Sequence, residues 1–117
     1  MTRTPEEVFD HHIHALVSRD LDELVADYAD DCAVITSAGV ARGKAGVRAA
    51  FTQLFDNLSD AVFDTTTKIF DGDVLFLEWV LDSPAARTEG SDTFLFGGGL
   101  IRVQTITHSA HPKPPVS

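Results

Sequence analysis

The chain holds a single cysteine, Cys32, among 117 residues. No internal disulfide can form, and a reducing cytoplasm is the expected setting. Basic residues are scarce: nine Lys and Arg stand against eighteen Asp and Glu, for a formal charge of −9. A nucleic-acid binder shows a basic patch and none is visible, so nucleic acid is not an expected partner. An anionic membrane surface is disfavoured for the same reason. No stretch reaches the roughly 18 apolar residues of a membrane span. The opening MTRTPEEVFDHH lacks the basic and apolar regions of a secretory leader. The apolar share of 44% and charged share of 23% argue against disorder, collagen and coiled coil as descriptions of the whole chain. What remains is one domain over residues 1–117, long enough to bury a core without staples.

The first half has helical periodicity. Thr4-Pro5-Glu6-Glu7 reads as a capping box with proline at the first helical position, and Val8, Phe9, Ile13, Leu16 and Val17 follow at helical spacing. A second start stands at Asp20, with Leu21, Leu24, Val25 and Tyr28 as its apolar face and Ala29-Asp30-Asp31 as its end. Cys32 to Thr36 is short and rich in β-branched residues, a strand, and Ser37-Ala38-Gly39 a turn. Gly43 opens a third helix with the stripe Val47, Ala50, Phe51, Leu54, Phe55 and Leu58, stopped by the turn formers Asn57 to Asp60.

The second half changes period. Ala61 to Phe70 alternates, with Phe63, Thr65, Thr67 and Ile69 on one face, and Asp71-Gly72-Asp73 is a hairpin turn. Val74 to Leu81 is nearly all apolar, as in a strand covered on both faces. Ser83 to Gly90 reads as an exposed loop. A strand near Thr88 to Phe96, the turn Gly97-Gly98-Gly99, and a strand from Leu100 to His108 complete the pattern. Residues 109–117, with their prolines, are expected to form a mobile tail. The order is helix, helix, strand, helix, then four strands, an α+β domain.

The ordered segments Arg19-Asp20-Leu21-Asp22-Glu23-Leu24, Tyr28 to Val34, Arg42 to Arg48, and Asp92 to Phe96 followed by Gly99-Leu100-Ile101 resemble the SnoaL-like branch of the NTF2-like superfamily. The resemblance spans roughly residues 5 to 108. It implies a cone in which three N-terminal helices pack on a strongly curved, mainly antiparallel sheet around a pocket, and a homodimer formed through the sheet. Members include ketosteroid isomerases, polyketide cyclases and epoxide hydrolases, so the fold alone does not deliver a function. Matched to the isomerases, His12 takes the place of the tyrosine that donates to the oxyanion, and Asp92 that of the protonated second donor. Thr36 stands where the general base would be and cannot serve as one at neutral pH. No cofactor is implied.

The catalytic candidates are therefore His12 and Asp92. Asp92 alternates with Phe94 and Phe96, so the three share one face, and a cavity there would raise its pKa; the alternative is a solvated Asp at a strand start. His12 lies at the edge of the apolar stripe of its helix, as a pocket group or as a boundary histidine. Tyr28, Thr36, Phe55, Trp79 and Phe94 are candidate ligand-binding residues; the indole N–H of Trp79 needs a partner if buried. Phe51 and Cys32 read as core. The spacings His11/His14 and His108/His111 invite a metal, but His12 points away from the first pair and no metal is expected. Glu78 faces either a partner or the pocket.

Two main functions compete. One is a cofactor-independent cyclase or isomerase acting by acid/base chemistry on a small, mostly neutral ring compound. The other is a non-catalytic module that binds a small hydrophobic molecule, or a dimeric protein-interaction module.

Overall fold

Thr4 opens the first helix as the capping box requires: its hydroxyl accepts from the Glu7 amide, and the Glu7 carboxylate accepts from the Thr4 amide at 2.8 Å. This helix, α1, spans Pro5–Ser18 and buries Val8, Phe9, His12 and Ala15. It stops at Arg19, which takes a left-handed conformation with φ 58°. Asp20 then caps α2, Leu21–Ala26, by accepting from the Glu23 amide at 3.2 Å. The computed structural model describes residues 2–57 and 60–115. Leu58 and part of the turn expected after the third helix lie outside them.

The sequence periodicity placed Tyr28 on α2, but α2 ends at Ala26 and Tyr28 is the first residue of strand β1, Tyr28–Thr36. Its side chain is fully buried, as a helix-facing apolar residue would be, so the i+7 spacing alone did not separate the two states. A short strand that the pattern missed, β2 at Gly39–Arg42, pairs antiparallel with β1 and is followed by α3, Gly43–Asn57. The third helix therefore follows two strands instead of one.

Four long strands complete the chain: β3 Val62–Asp71, β4 Val74–Asp82, β5 Ala86–Gly97 and β6 Leu100–Pro112. Together they form one six-stranded sheet in the order β2-β1-β6-β5-β4-β3, antiparallel except for the β1–β6 pair. The Gly98-Gly99 turn joins β5 to β6 with both residues at positive φ, 62° and 75°, which non-glycine residues rarely adopt in succession. The loop expected over Ser83 to Gly90 is shorter, because β5 starts at Ala86. The tail is shorter too. Ser109 to Pro112 continue β6, with Pro112 opposite Ala86. Proline is tolerated there because β1 pairs with β6 only as far as Thr105, which leaves the other edge of β6 open at that end.

The helices cover one face of the sheet. Phe9 of α1 packs edge-on against Phe70 and Phe94, with ring centroids 6.2 and 5.7 Å away. Within the chain, the helices cover β4 on one side. Leu75 and Leu77 are buried beneath the helices, while Val74 and Phe76 are 39% and 41% exposed on the other side. Ile69, Leu95 and Ile35 are exposed on that same outer face, as is Glu78. The alternation expected for β3 is broken by a register shift between Thr65 and Thr67. Phe63 consequently faces the helices with Trp79, and Ile69 faces outward with Phe76.

Candidate functional site

Strand register builds the site from residues far apart in sequence. On the helix-facing side, Leu75, Phe94 and Gln104 form one cross-strand row of β4, β5 and β6; Leu77, Asp92 and Ile106 form the next; Trp79, Gly90 and His108 form the third. Between this face and the helices lies a cavity of about 1030 Å³. Its wall is mainly apolar, with Phe51, Phe55, Val34, Leu77 and Phe63 among the lining residues, and it reaches the surface beside exposed Val17 and Val62.

Asp92 is the carboxyl group in that wall. It is only 7% exposed. The Trp79 indole Nε1–H donates to its Oδ1 at 2.9 Å, and the Gln104 amide Nε2–H donates to its Oδ2 at 2.9 Å. Gln104 is held in turn by the Tyr28 hydroxyl, which donates to Gln104 Oε1 in a short hydrogen bond. Burial raises the Asp92 pKa above its ordinary value, and the two donated hydrogen bonds oppose that rise. The Tyr28 hydroxyl is pushed up strongly, first by burial and then by the nearby Asp92 charge. A carboxyl group with a donor on each oxygen is organised as an acceptor, with a remaining lone pair on each oxygen.

His12 supplies the polar group on the helical side. Only 2% of it is exposed, and its Nδ1 is buried with no hydrogen-bond partner among the described residues. Its ring packs edge-on against Tyr28, Phe94 and Phe51, with centroids 5.7, 5.7 and 6.3 Å away. Burial lowers its pKa to about 4, so the imidazole is neutral at pH 7. An unpartnered polar atom in so apolar a setting is a stability burden of about 1–3 kcal/mol, which packing alone gives no reason to keep.

The neighbouring His11 does different work. Its Nδ1 meets the buried Asp27 Oδ2 at 2.7 Å and its Nε2 meets Glu23 at 3.0 Å. The hydrogen bond to Asp27 leads a rise in its pKa. Arg3 donates to Asp27 Oδ1 and to the Gly99 carbonyl, both at 2.9 Å, so this cluster ties α1 and the end of α2 to the β5–β6 turn. Both ring nitrogens of His11 are thus held by carboxylates, and among the described residues no three His, Cys, Asp or Glu side chains gather in a metal-holding group.

Of the residues singled out from sequence, His12, Asp92, Thr36, Phe55, Trp79 and Phe94 line the cavity, whereas Tyr28 sits behind it and acts through Gln104. Thr36 has its hydroxyl engaged in the β1–β2 turn, where Oγ1 accepts from the Ala38 amide at 3.1 Å. Gln104, Gly90 and Asp27 were missed. A glutamine two residues from Ile106 and a glycine two residues from Asp92 have the right alternation, but only strand register shows what they meet.

A family model described as a SnoaL-like domain matches residues 9–104. The chain belongs to the SnoaL-like family. Solved structures similar to this SnoaL-like domain include an NTF2-like protein of unknown function from Burkholderia xenovorans, 18% identical, with a TM-score of 0.79 over 95% of this chain and 87% of that one. A proposed polyketide cyclase from Sinorhizobium meliloti is 18% identical, with a TM-score of 0.77 over 86% of this chain and 93% of that one. A SnoaL-like protein of unknown function from Burkholderia thailandensis is also 18% identical, at 0.77 over 90% and 94%. At such identities the likeness is one of fold: an α+β NTF2-like domain with a curved, six-stranded, mainly antiparallel sheet. No curated protein matches the SnoaL-like domain at a significant level. No helix among the described residues is long and apolar enough to cross a membrane.

Proposed function

We propose that the cavity takes a small, mostly neutral ring compound and that the domain acts on it as a cofactor-independent cyclase or isomerase, with Asp92 as proton acceptor. The observation that carries this reading is the buried carboxyl group in an apolar wall, with each oxygen accepting an N–H. Burial strengthens it as a base, and the donors from Trp79 and Gln104 orient it. The isomerase comparison makes this position a protonated donor; the hydrogen bonds here favour the opposite role. Neutral His12 suits the task of donating to an oxygen that gains negative charge.

In the proposed step Asp92 takes a proton from carbon next to a ring carbonyl. The C–H electron pair moves into the ring to form an enolate, whose oxygen accepts a hydrogen bond from His12. Where a ring double bond is conjugated with the enolate, isomerisation follows when the proton returns from Asp92 to the far carbon of that dienolate. Cyclisation follows when the enolate carbon attacks a second carbonyl carbon of the same molecule, the C=O π pair moves to oxygen, and the resulting alkoxide takes the proton from Asp92.

An enolisable ring ketone tests this without knowledge of the natural substrate. In D2O, proton NMR of 2-tetralone with the wild-type protein should show α-hydrogen exchange faster than with Asp92→Asn by a factor of about 100 or more, as expected when a general base is removed. Equal exchange rates with the two proteins would reject Asp92 as the base and favour a binding module that leaves its ligand unchanged.

A further inference from the structure

Gly90 stands beside Trp79 across the β4–β5 ladder. Its backbone is ordinary extended strand, so conformational freedom does not explain a glycine there. The space around it does. A Cβ on Gly90 would lie 2.2 Å from Cζ2, 2.5 Å from Cε2 and 2.7 Å from Cη2 of Trp79. Ordinary carbon–carbon contact is about 3.5–4.0 Å. The indole therefore lies flat on the backbone of β5 and needs a residue without a side chain beneath it.

This placement gives one side chain two tasks. Its edge carries Nε1–H to Asp92 Oδ1 at 2.9 Å. One face rests on Gly90; the ring also lines the cavity, with Phe63 tilted beside it at 5.9 Å. We infer that Trp79, laid flat by Gly90, is a stacking platform that selects a planar conjugated ring bearing a hydroxyl group, which donates to the Asp92 carboxylate at the platform's edge. The carboxylate has a free lone pair on the oxygen nearest the indole, so a phenolic or enolic O–H can reach it while the ring stays stacked. A saturated ring of equal size is puckered and loses the face-to-face contact. An anionic substituent would meet the Asp92 charge. The inference rests on the cavity being a ring-binding site and adds which rings it prefers.

Trp79 is the chain's only tryptophan, so one indole N–H cross-peak reports the platform in a ¹⁵N-correlated NMR spectrum. The probes are 2-naphthol and trans-2-decalol, which share a carbon skeleton and a single hydroxyl and differ in planarity. The expected result is a saturable shift of the Trp79 cross-peak with 2-naphthol and binding about tenfold tighter than that of trans-2-decalol, the upper end of what an aromatic stack contributes. Gly90→Ala should push the indole at least about 1 Å off the strand. It should move the cross-peak in the free protein and abolish the preference. Trp79→Leu, which leaves the backbone untouched, should abolish it too, read by ligand-detected NMR.

Equal affinity for the two probes in the wild type, or a preference that survives both variants, would overturn the platform while leaving the cavity and the Asp92 role standing. Failure of both probes to bind at their solubility limits would overturn both the platform and the ring-binding site beneath it. Loss of the Asp92→Asn effect on exchange with the probe preference intact would remove the catalytic reading alone.

Discussion

Gln104→Leu should lower the melting temperature by roughly 15 °C at pH 7, corresponding to about 3 kcal/mol in a domain of this size. Gln104 is the buried link between the Tyr28 hydroxyl and Asp92 Oδ2. Leucine would fill most of the space but leave a buried hydroxyl and one carboxylate oxygen without their partner, and orphaned buried polar groups are more costly than the net value of the bond they lost. The loss should also depend on pH. Burial already raises the folded-state pKa of Asp92, and the Gln104 hydrogen bond is one of the effects holding it down. Without that bond the pKa rises further. A group whose folded pKa lies above its unfolded value favours the fold in its protonated form, so the penalty is largest where Asp92 must be ionised and shrinks as pH falls toward 4–5. Thermal and urea melts of both proteins at pH 7.5 and pH 5 check this. A loss under about 1 kcal/mol at pH 7.5 would mean that water or rearrangement satisfies these groups and that the Tyr28–Gln104–Asp92 network adds little to the fold.

His12→Leu should have the opposite dependence on acid. The folded-state pKa of His12 is lowered to about 4 by burial, against about 6.5 for an unperturbed histidine. The unfolded chain therefore binds a proton between pH 6.5 and pH 4 that the folded protein refuses. Stability linked to His12 is fully present above pH 6.5 and is lost as pH falls through that window, by about 3 kcal/mol in all. Leucine removes this term together with the unpartnered Nδ1. The variant should equal or exceed the wild type in stability at pH 7.5 and lead it by about 3 kcal/mol more near pH 4. His11 titrates with the opposite sign: its raised pKa stabilises the fold below its unfolded value and that contribution fades as pH climbs. Taking the difference between variant and wild type at each pH removes most of that background. A difference that stays constant with pH would show that His12 is solvated or partnered. If the variant is also slower in ketone exchange, the stability burden of a buried neutral imidazole has a functional counterpart.

Much of the fold is legible in the sequence because its signals are local. Thr4, Pro5 and Glu7 define a helix start by their own chemistry, and Gly98-Gly99 a tight turn. The misassignments come where local and tertiary signals coincide. Tyr28 fits both a helical stripe and a buried strand start, and only its pairing with Ile101 separates them. The short β2 has little periodicity to read. The inserted residue at Thr66 reverses the facing of β3, and nothing in an alternating run announces a bulge.

The site divides in the same way. Alternation sets Asp92 and Phe94 on one strand face, and His12, Phe55 and Trp79 stand out by residue chemistry, as aromatic and titratable groups on an apolar face. Gln104 and Gly90 did not stand out: their roles are defined by what lies across the ladder, the Asp92 carboxylate for one and the Trp79 ring for the other. Asp27 is fully buried between Arg3 and His11, and nothing in the acidic stretch around it sets it apart. The role implied for Asp92 by the resemblance to the isomerases, a protonated donor, differs from the acceptor role its hydrogen bonds favour.

The most direct test is the protonation state of Asp92 itself. In protein labelled with ¹³C at the aspartate carboxyl carbons, with Asp92→Asn assigning the resonance, the carboxyl shift is followed from pH 3 to pH 9. Asp92 should titrate above the usual aspartate value of about 4, and the N–H donated to each of its oxygens predicts a carboxylate at pH 7.5. A resonance that remains protonated at pH 7.5 would make Asp92 a hydrogen-bond donor and contradict its assignment as the base.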